Sequence, residues 1–144
     1  MEILNAVGAF GEDDLESRVF SLRRPFRSSV TNATIPAKTV VSITTDGKIA
    51  TATTDGNNSL AIGITNEAIE PEGTGVVTIY GAVESVPISG SVSAGNLLVP
   101  SATTAGRVAA ATTTQAAASG DIIGAAIADG SAANGTVDVW FFKS

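Results

Sequence analysis

The residue types that could do chemistry are few in this chain. Neither cysteine nor histidine occurs in its 144 residues. That removes disulfides, thiolate metal sites, the commonest general base and the commonest transition-metal ligand. Serines are plentiful, but without histidine only a Ser–Lys arrangement could activate one. Lys38, Lys48 and Lys143 fall in predicted turns or beside the terminus, so no catalytic residue and no enzyme activity are expected. Asp46, Asp55 and Asp129 each precede a glycine, which invites a calcium loop. None sits in the spaced D-x-D-x-D-G pattern, and Asx-turn chemistry accounts for all three. Gly73-Thr74-Gly75 precedes a strand pattern rather than a helix, so it is not a phosphate loop. No metal and no cofactor are expected.

Two sets of residues remain as candidates for binding. Arg23, Arg24 and Arg27, interleaved with Pro25 and Phe26, form a basic cluster, with Arg18 shortly before it. This cluster reads either as a solvated segment balanced by Glu12 to Glu16 or as an electrostatic anchor onto an acidic protein surface. The second set is Tyr80, Trp140 and Phe142, large aromatics in a chain that is only 5% aromatic. In the last strand pattern Val137, Val139 and Phe141 point one way, while Trp140 and Phe142 point the other. A strand with bulky side chains on both faces is covered on both sides. The cover is either another part of the same chain or a neighbouring protomer, where Trp is over-represented among anchors.

Charge narrows the partners. Net charge is −6 and the isoelectric point is near 4.4, so neither nucleic acid nor an anionic membrane is an expected partner. Residues 1–34 hold Arg18, Arg23, Arg24 and Arg27 against five acids, and residues 35–144 hold four cations against nine. Met1-Glu2 opens acidic, and no apolar stretch of membrane-spanning length follows, so no secretory signal or anchor is expected. A chain of this length buries about 68–70% of its unfolded surface, enough for a core without staples.

The elements that position these residues read as strands. From Ile35 onward the apolar period is two, and Asp46-Gly47 between alternating segments is a hairpin signal. Leu60 to Ile64 is a short apolar strand in which Gly63 marks a bulge or a close backbone approach. Val76 to Tyr80 follows an acidic loop, Ala82 to Gly90 reads as a linker, and Leu97–Val99, Arg107–Ala111, Ile122–Ile127 and Val137–Phe142 form a second set. Residues 1–34 differ. Asp13 and Asp14 before Leu15, Val19 and Leu22, with Arg23 and Arg24 before Pro25, suit a short amphipathic helix. An extended arm with a helical turn inside it is the favoured reading, because so short a helix is marginal alone.

The stretch 35–144 also repeats. Gly47 recurs as Gly106 at 59 positions, Val40 as Leu97 at 57, Gly63 as Gly124 at 61, and Tyr80 as Trp140 at 60. Two copies are too few for a solenoid. The expectation is all-β, with two tandem small β-barrel modules at 35–86 and 87–144 behind an arm at 1–34.

One further set of residues carries a resemblance. Ile-Pro-Ala-Lys-Thr-Val-Val-Ser at 35–42, Asp-Gly-Lys-Ile-Ala at 46–50, Thr-Asp-Gly at 54–56, Ala-Ile-Gly-Ile at 61–64 and Gly-Val-Val-Thr-Ile-Tyr-Gly-Ala-Val at 75–83 follow one another. This order resembles the small head-decoration (cement) proteins of tailed bacteriophages, including the lambda head-stabilising protein and related β-tulip domains. Ala-Gly-Asn-Leu-Leu at 94–98, Ala-Gly-Arg-Val at 105–108 and Ile-Ile-Gly-Ala-Ala at 122–126 are similar to runs in a wider set of phage structural proteins. The resemblance implies a β-tulip-like fold and a homotrimer at three-fold and quasi-three-fold sites outside an expanded head. It also implies the major capsid protein as partner, a virion location, and an N-terminal arm that adds to a capsid-protein sheet. The second copy and the long basic arm depart from that family. On this reading Arg18, Arg23, Arg24, Phe26 and Arg27 dock on the capsid, while Tyr80, Trp140 and Phe142 pack between modules or protomers. The alternative is a tail or fibre component acting in receptor adhesion.

Overall fold

The structure is a computed structural model that describes residues 21–53, 60–112, 122–130 and 135–143. Among the described residues nine strands make up the regular structure: β1 (Ser21–Arg27), β2 (Val40–Ile43), β3 (Ile49–Thr51), β4 (Ala61–Thr65), β5 (Thr74–Pro87), β6 (Leu97–Pro100), β7 (Val108–Ala110), β8 (Gly124–Ala126) and β9 (Thr136–Phe141). The all-β expectation holds. β2 and β3 form the hairpin that Asp46-Gly47 signalled. Gly47 sits at φ +78°, and the Thr44 hydroxyl bonds both the Asp46 carboxylate and the Lys48 backbone.

Every named strand pairing is antiparallel, and the ladder runs β3-β2-β4-β5-β9-β8-β6-β7, with β1 added on β5. β5 is the hub because it is long. Val77 and Thr78 are paired on both sides, by β4 and by β1. Gly81 is also paired on both sides, by β9 and by β1. One edge of β5 therefore carries β4 and then β9, and β1 lies along the other edge across the handover. The segment from Ala82, which reads as a linker in the sequence, is the second half of this strand.

Two parallel bridges curl the ladder into two small barrels. Ser28, just after β1, pairs with Ile49 of β3, and Ile88, just after β5, pairs with Val108 of β7. These bridges are equivalent in the repeat. Arg27↔Thr74 in β1–β5 likewise corresponds to Pro87↔Thr136 in β5–β9. The first barrel is thus β1, β2, β3, β4 and the first half of β5. The second is the rest of β5 with β6, β7, β8 and β9.

Residues 21–34, assigned to the arm by sequence, are accordingly built into the first barrel. Leu22, Arg23 and Arg24, offered to a helix, are extended in β1 instead. Their partner decides this: β5 presents an open edge, and ladder hydrogen bonds outweigh a weak local propensity. Pro25 is tolerated because β1 is an edge strand. The rest of the helix reading, at residues 13–20, lies outside the described residues.

Each barrel has its own interior. Ile35, Val41, Ile49, Ile69 and Val77 fill the first, with Phe26, Val30, Ile62 and Ile79 packed against them. Their repeat counterparts in the second include Val92, Leu98, Val108, Val139 and Phe141. That second cluster also takes in Val40, Ala52, Ala61 and Ile64, from the outer face of the first barrel. One apolar core therefore continues across the boundary, and the two barrels are fused into one unit.

Candidate functional site

β1 gathers the basic residues on the outside of the first barrel. Arg23, Arg24 and Arg27 are exposed, whereas Phe26 is half-buried against the smaller core. Strand alternation turns Arg23 and Arg27 away from Phe26, whereas Arg24 shares its face. Phe26 stands opposite Gly75, whose missing side chain leaves room for Ile69 of the same core. The Arg24 guanidinium carbon lies 5.8 Å from the Phe26 ring centroid, within cation–π range. Arg27 is held differently: its Nε donates to the Glu72 carbonyl at 3.0 Å. Among the described residues Arg23 and Arg24 form no ion pair, so they present their charge to solvent. Arg18 lies outside the described residues.

The aromatic candidates come together in part. The Tyr80 and Trp140 rings meet edge-on, with centroids 5.6 Å apart and planes at 78°. Such T-shaped pairs place the positive edge of one ring against the negative face of the other. Tyr80 is exposed, Trp140 is half-buried, and Phe142 is half-buried with its amide donating to the Ile123 carbonyl at 2.9 Å. Leu22, which the sequence placed on a helical face rather than at a site, pairs with Tyr80 in the ladder and is also exposed. The sequence pairing of Tyr80 with Trp140 as repeat equivalents needs correction. A Cβ on Gly63 would meet the Thr78 carbonyl, and one on Gly124 would meet the Trp140 carbonyl. Trp140 therefore stands where Thr78 stands in the first copy. The two-residue slip preserves which face each side chain takes, so the core pattern tolerates it.

Hydroxyl chemistry gathers elsewhere. A shallow pocket of about 350 Å³ is lined by Ser89, Ser101, Thr103 and Thr112 among small apolar residues. The buried Ser101 hydroxyl bonds Ser89 Oγ at 2.9 Å and accepts from the Thr104 amide at 3.0 Å. No lysine or carboxylate lines that pocket, and these hydroxyls act as an ST-turn brace. Among the described residues no group of three or more carboxylates could hold a metal ion.

No family model and no curated protein matches the chain. A solved structure does. The chain shares its fold with the N base of the head fiber protein gp8.5 of bacteriophage phi29. That likeness has a TM-score of 0.60 at 13% identity, and covers 85% of this chain and 97% of that one. At such identity it is a likeness of fold. It spans nearly all of the phage domain and most of this chain.

Proposed function

We propose that this chain is a non-enzymatic structural protein of a tailed-phage virion, sited on the outer surface of the head as a decoration or cement protein. The fold shared with the head fiber base of phi29 carries this reading. The decoration-protein resemblance at 35–83 and 94–126 supports it.

In this reading the major capsid protein is the partner, and the basic side of β1 with the residues before it docks on the capsid. Arg18, Arg23, Arg24 and Arg27 supply the charge, and Phe26 fixes the strand that displays them. The protein acts as a homotrimer at three-fold and quasi-three-fold sites. Three-fold attachment multiplies weak contacts by about 10²–10⁴ in avidity. A ligand that binds only the assembled shell stabilises it by linkage.

The deciding experiment is copy number in purified particles, quantified against the major capsid protein. Comparable numbers support decoration. A few copies per particle would move the assignment to a tail or fibre component, and absence from the particle would remove the virion reading.

A further inference from the structure

The boundary between the barrels is a plug in a socket. The Gly106 peptide, at the β6–β7 turn, enters the open end of the β2–β3 ladder. Val40 donates its amide to the Gly106 carbonyl at 2.8 Å, and Gly106 donates to the Ala52 carbonyl at 3.1 Å. The fit requires glycine, since a Cβ there would stand 2.7 Å from Thr39 Cγ2 and 3.0 Å from Thr51 Cγ2. Around the socket, Val40, Ile64 and Thr78 form one row across β2, β4 and β5, and all three are fully buried.

The repeat supplies a second socket and a second plug, and both are open among the described residues. Leu97 and Ala111 correspond to Val40 and Ala52: Ala111 donates to the Leu97 carbonyl at 2.8 Å, as Ala52 donates to that of Val40 at 2.9 Å. The matching row across β6, β8 and β9 is Leu97, Ala125 and Trp140. Leu97 is 38% exposed, and Ala125 and Trp140 are half-buried. On the first barrel the counterpart of the Gly106 turn is Asp46-Gly47-Lys48. Asp46 and Gly47 are exposed, and a Cβ on Gly47 would meet nothing within 4 Å.

We propose that a second copy of this chain docks head-to-tail on the second barrel, its Gly47 turn entering between Leu97 and Ala111. The occupant follows from the internal interface, because the one surface known to fit this socket is the turn of a sibling barrel. The contact is heterologous, so it closes into a ring or continues as a filament. A ring of three chains would place six barrels in sequence. This inference rests on the self-association part of the proposed function and names the surfaces that achieve it.

The test uses the purified full chain. Light scattering after size exclusion is expected to give an oligomer that Leu97→Glu dissolves, raising the dissociation constant by about tenfold or more. Circular dichroism of L97E checks that the barrels persist. As a second readout, Thr45→Cys and Leu97→Cys are made in separate chains, which is clean because the protein has no cysteine of its own. Mixing the two is expected to give an oxidised dimer that neither forms alone. An oligomer whose mass L97E leaves unchanged, or a mixture that crosslinks no better than its components, overturns this interface and leaves self-association standing. A monomer at every concentration removes both.

Discussion

Gly63 lies so close to Thr78 that a Cβ on the glycine would stand 2.5 Å from the Thr78 carbonyl oxygen. The second barrel repeats the relationship, with Gly124 and the Trp140 carbonyl at 2.3 Å. The obstacle is backbone in a paired strand, which cannot swing aside. Gly63→Ala and Gly124→Ala are each expected to lower stability by about 1–3 kcal/mol, the usual cost of overpacking. Urea unfolding of both variants checks this, and wild-type midpoints would mean that the strands separate more easily than their register suggests.

Gly47 and Gly106 separate turn geometry from packing. Both adopt positive φ, at +78° and +81°, so alanine strains either turn by about 1 kcal/mol. Only Gly106 also meets Thr39 and Thr51 and carries the bonds that join the barrels. Gly106→Ala is expected to lose clearly more stability than Gly47→Ala in thermal melts of the purified protein. Equal losses would show that the inserted peptide contributes nothing beyond its turn.

The Tyr80–Trp140 contact is accessible to a double-mutant cycle. Edge-to-face pairs contribute about 0.5–1.5 kcal/mol beyond their burial, and that coupling is expected between Tyr80→Ala and Trp140→Ala. Trp140 is the chain's one tryptophan, so its fluorescence reports the environment directly. Strict additivity would mean the rings touch without coupling.

Asp46 sets an acid response in the β2–β3 turn. The Thr44 hydroxyl bond holds its carboxyl below the ordinary value of 3.8, with a smaller contribution from Lys48. A carboxyl whose folded value is depressed stabilises the fold above its unfolded pKa, and that contribution fades as pH falls through the folded one. Asp46→Asn is therefore expected to flatten the stability profile slightly below about pH 4 and to leave it unchanged near neutrality. An identical acid profile in the variant would show that the turn does not sense this proton. Asp46 is exposed, so the effect is small.

Truncations separate β1 from the residues before it. Removing 1–34 takes away β1, together with Phe26 and Val30, which pack on the smaller core. That deletion is expected to unfold the first barrel, whereas a chain starting at Ser21 keeps the strand. Capsid attachment is therefore compared between the full chain and the chain starting at Ser21. Arg23→Ala and Arg24→Ala then probe β1 itself. Full occupancy of heads by the double variant would remove β1 from the docking surface.

The sequence by itself determined the all-β character of 35–144, most of its strands and their duplication. Apolar alternation, Asp46-Gly47 and the glycines at 63 and 124 are local signals, and each states its own backbone requirement. The absence of cysteine and histidine likewise bounded the chemistry before any fold was known. What only the tertiary structure decided is how the copies join. Leu22 to Arg24 carry weak helical cues, and only the open edge of β5 makes them a strand. Ala82 to Pro87 read as a linker because their role, continuing β5 into a second barrel, depends on β9, 49 to 58 residues on. The insertion of Gly106 between Val40 and Ala52 is a contact between elements whose spacing leaves no local trace. Local propensity and hydrophobic period write elements into a sequence, whereas a pairing between distant edges is chosen by what else the folded chain leaves open.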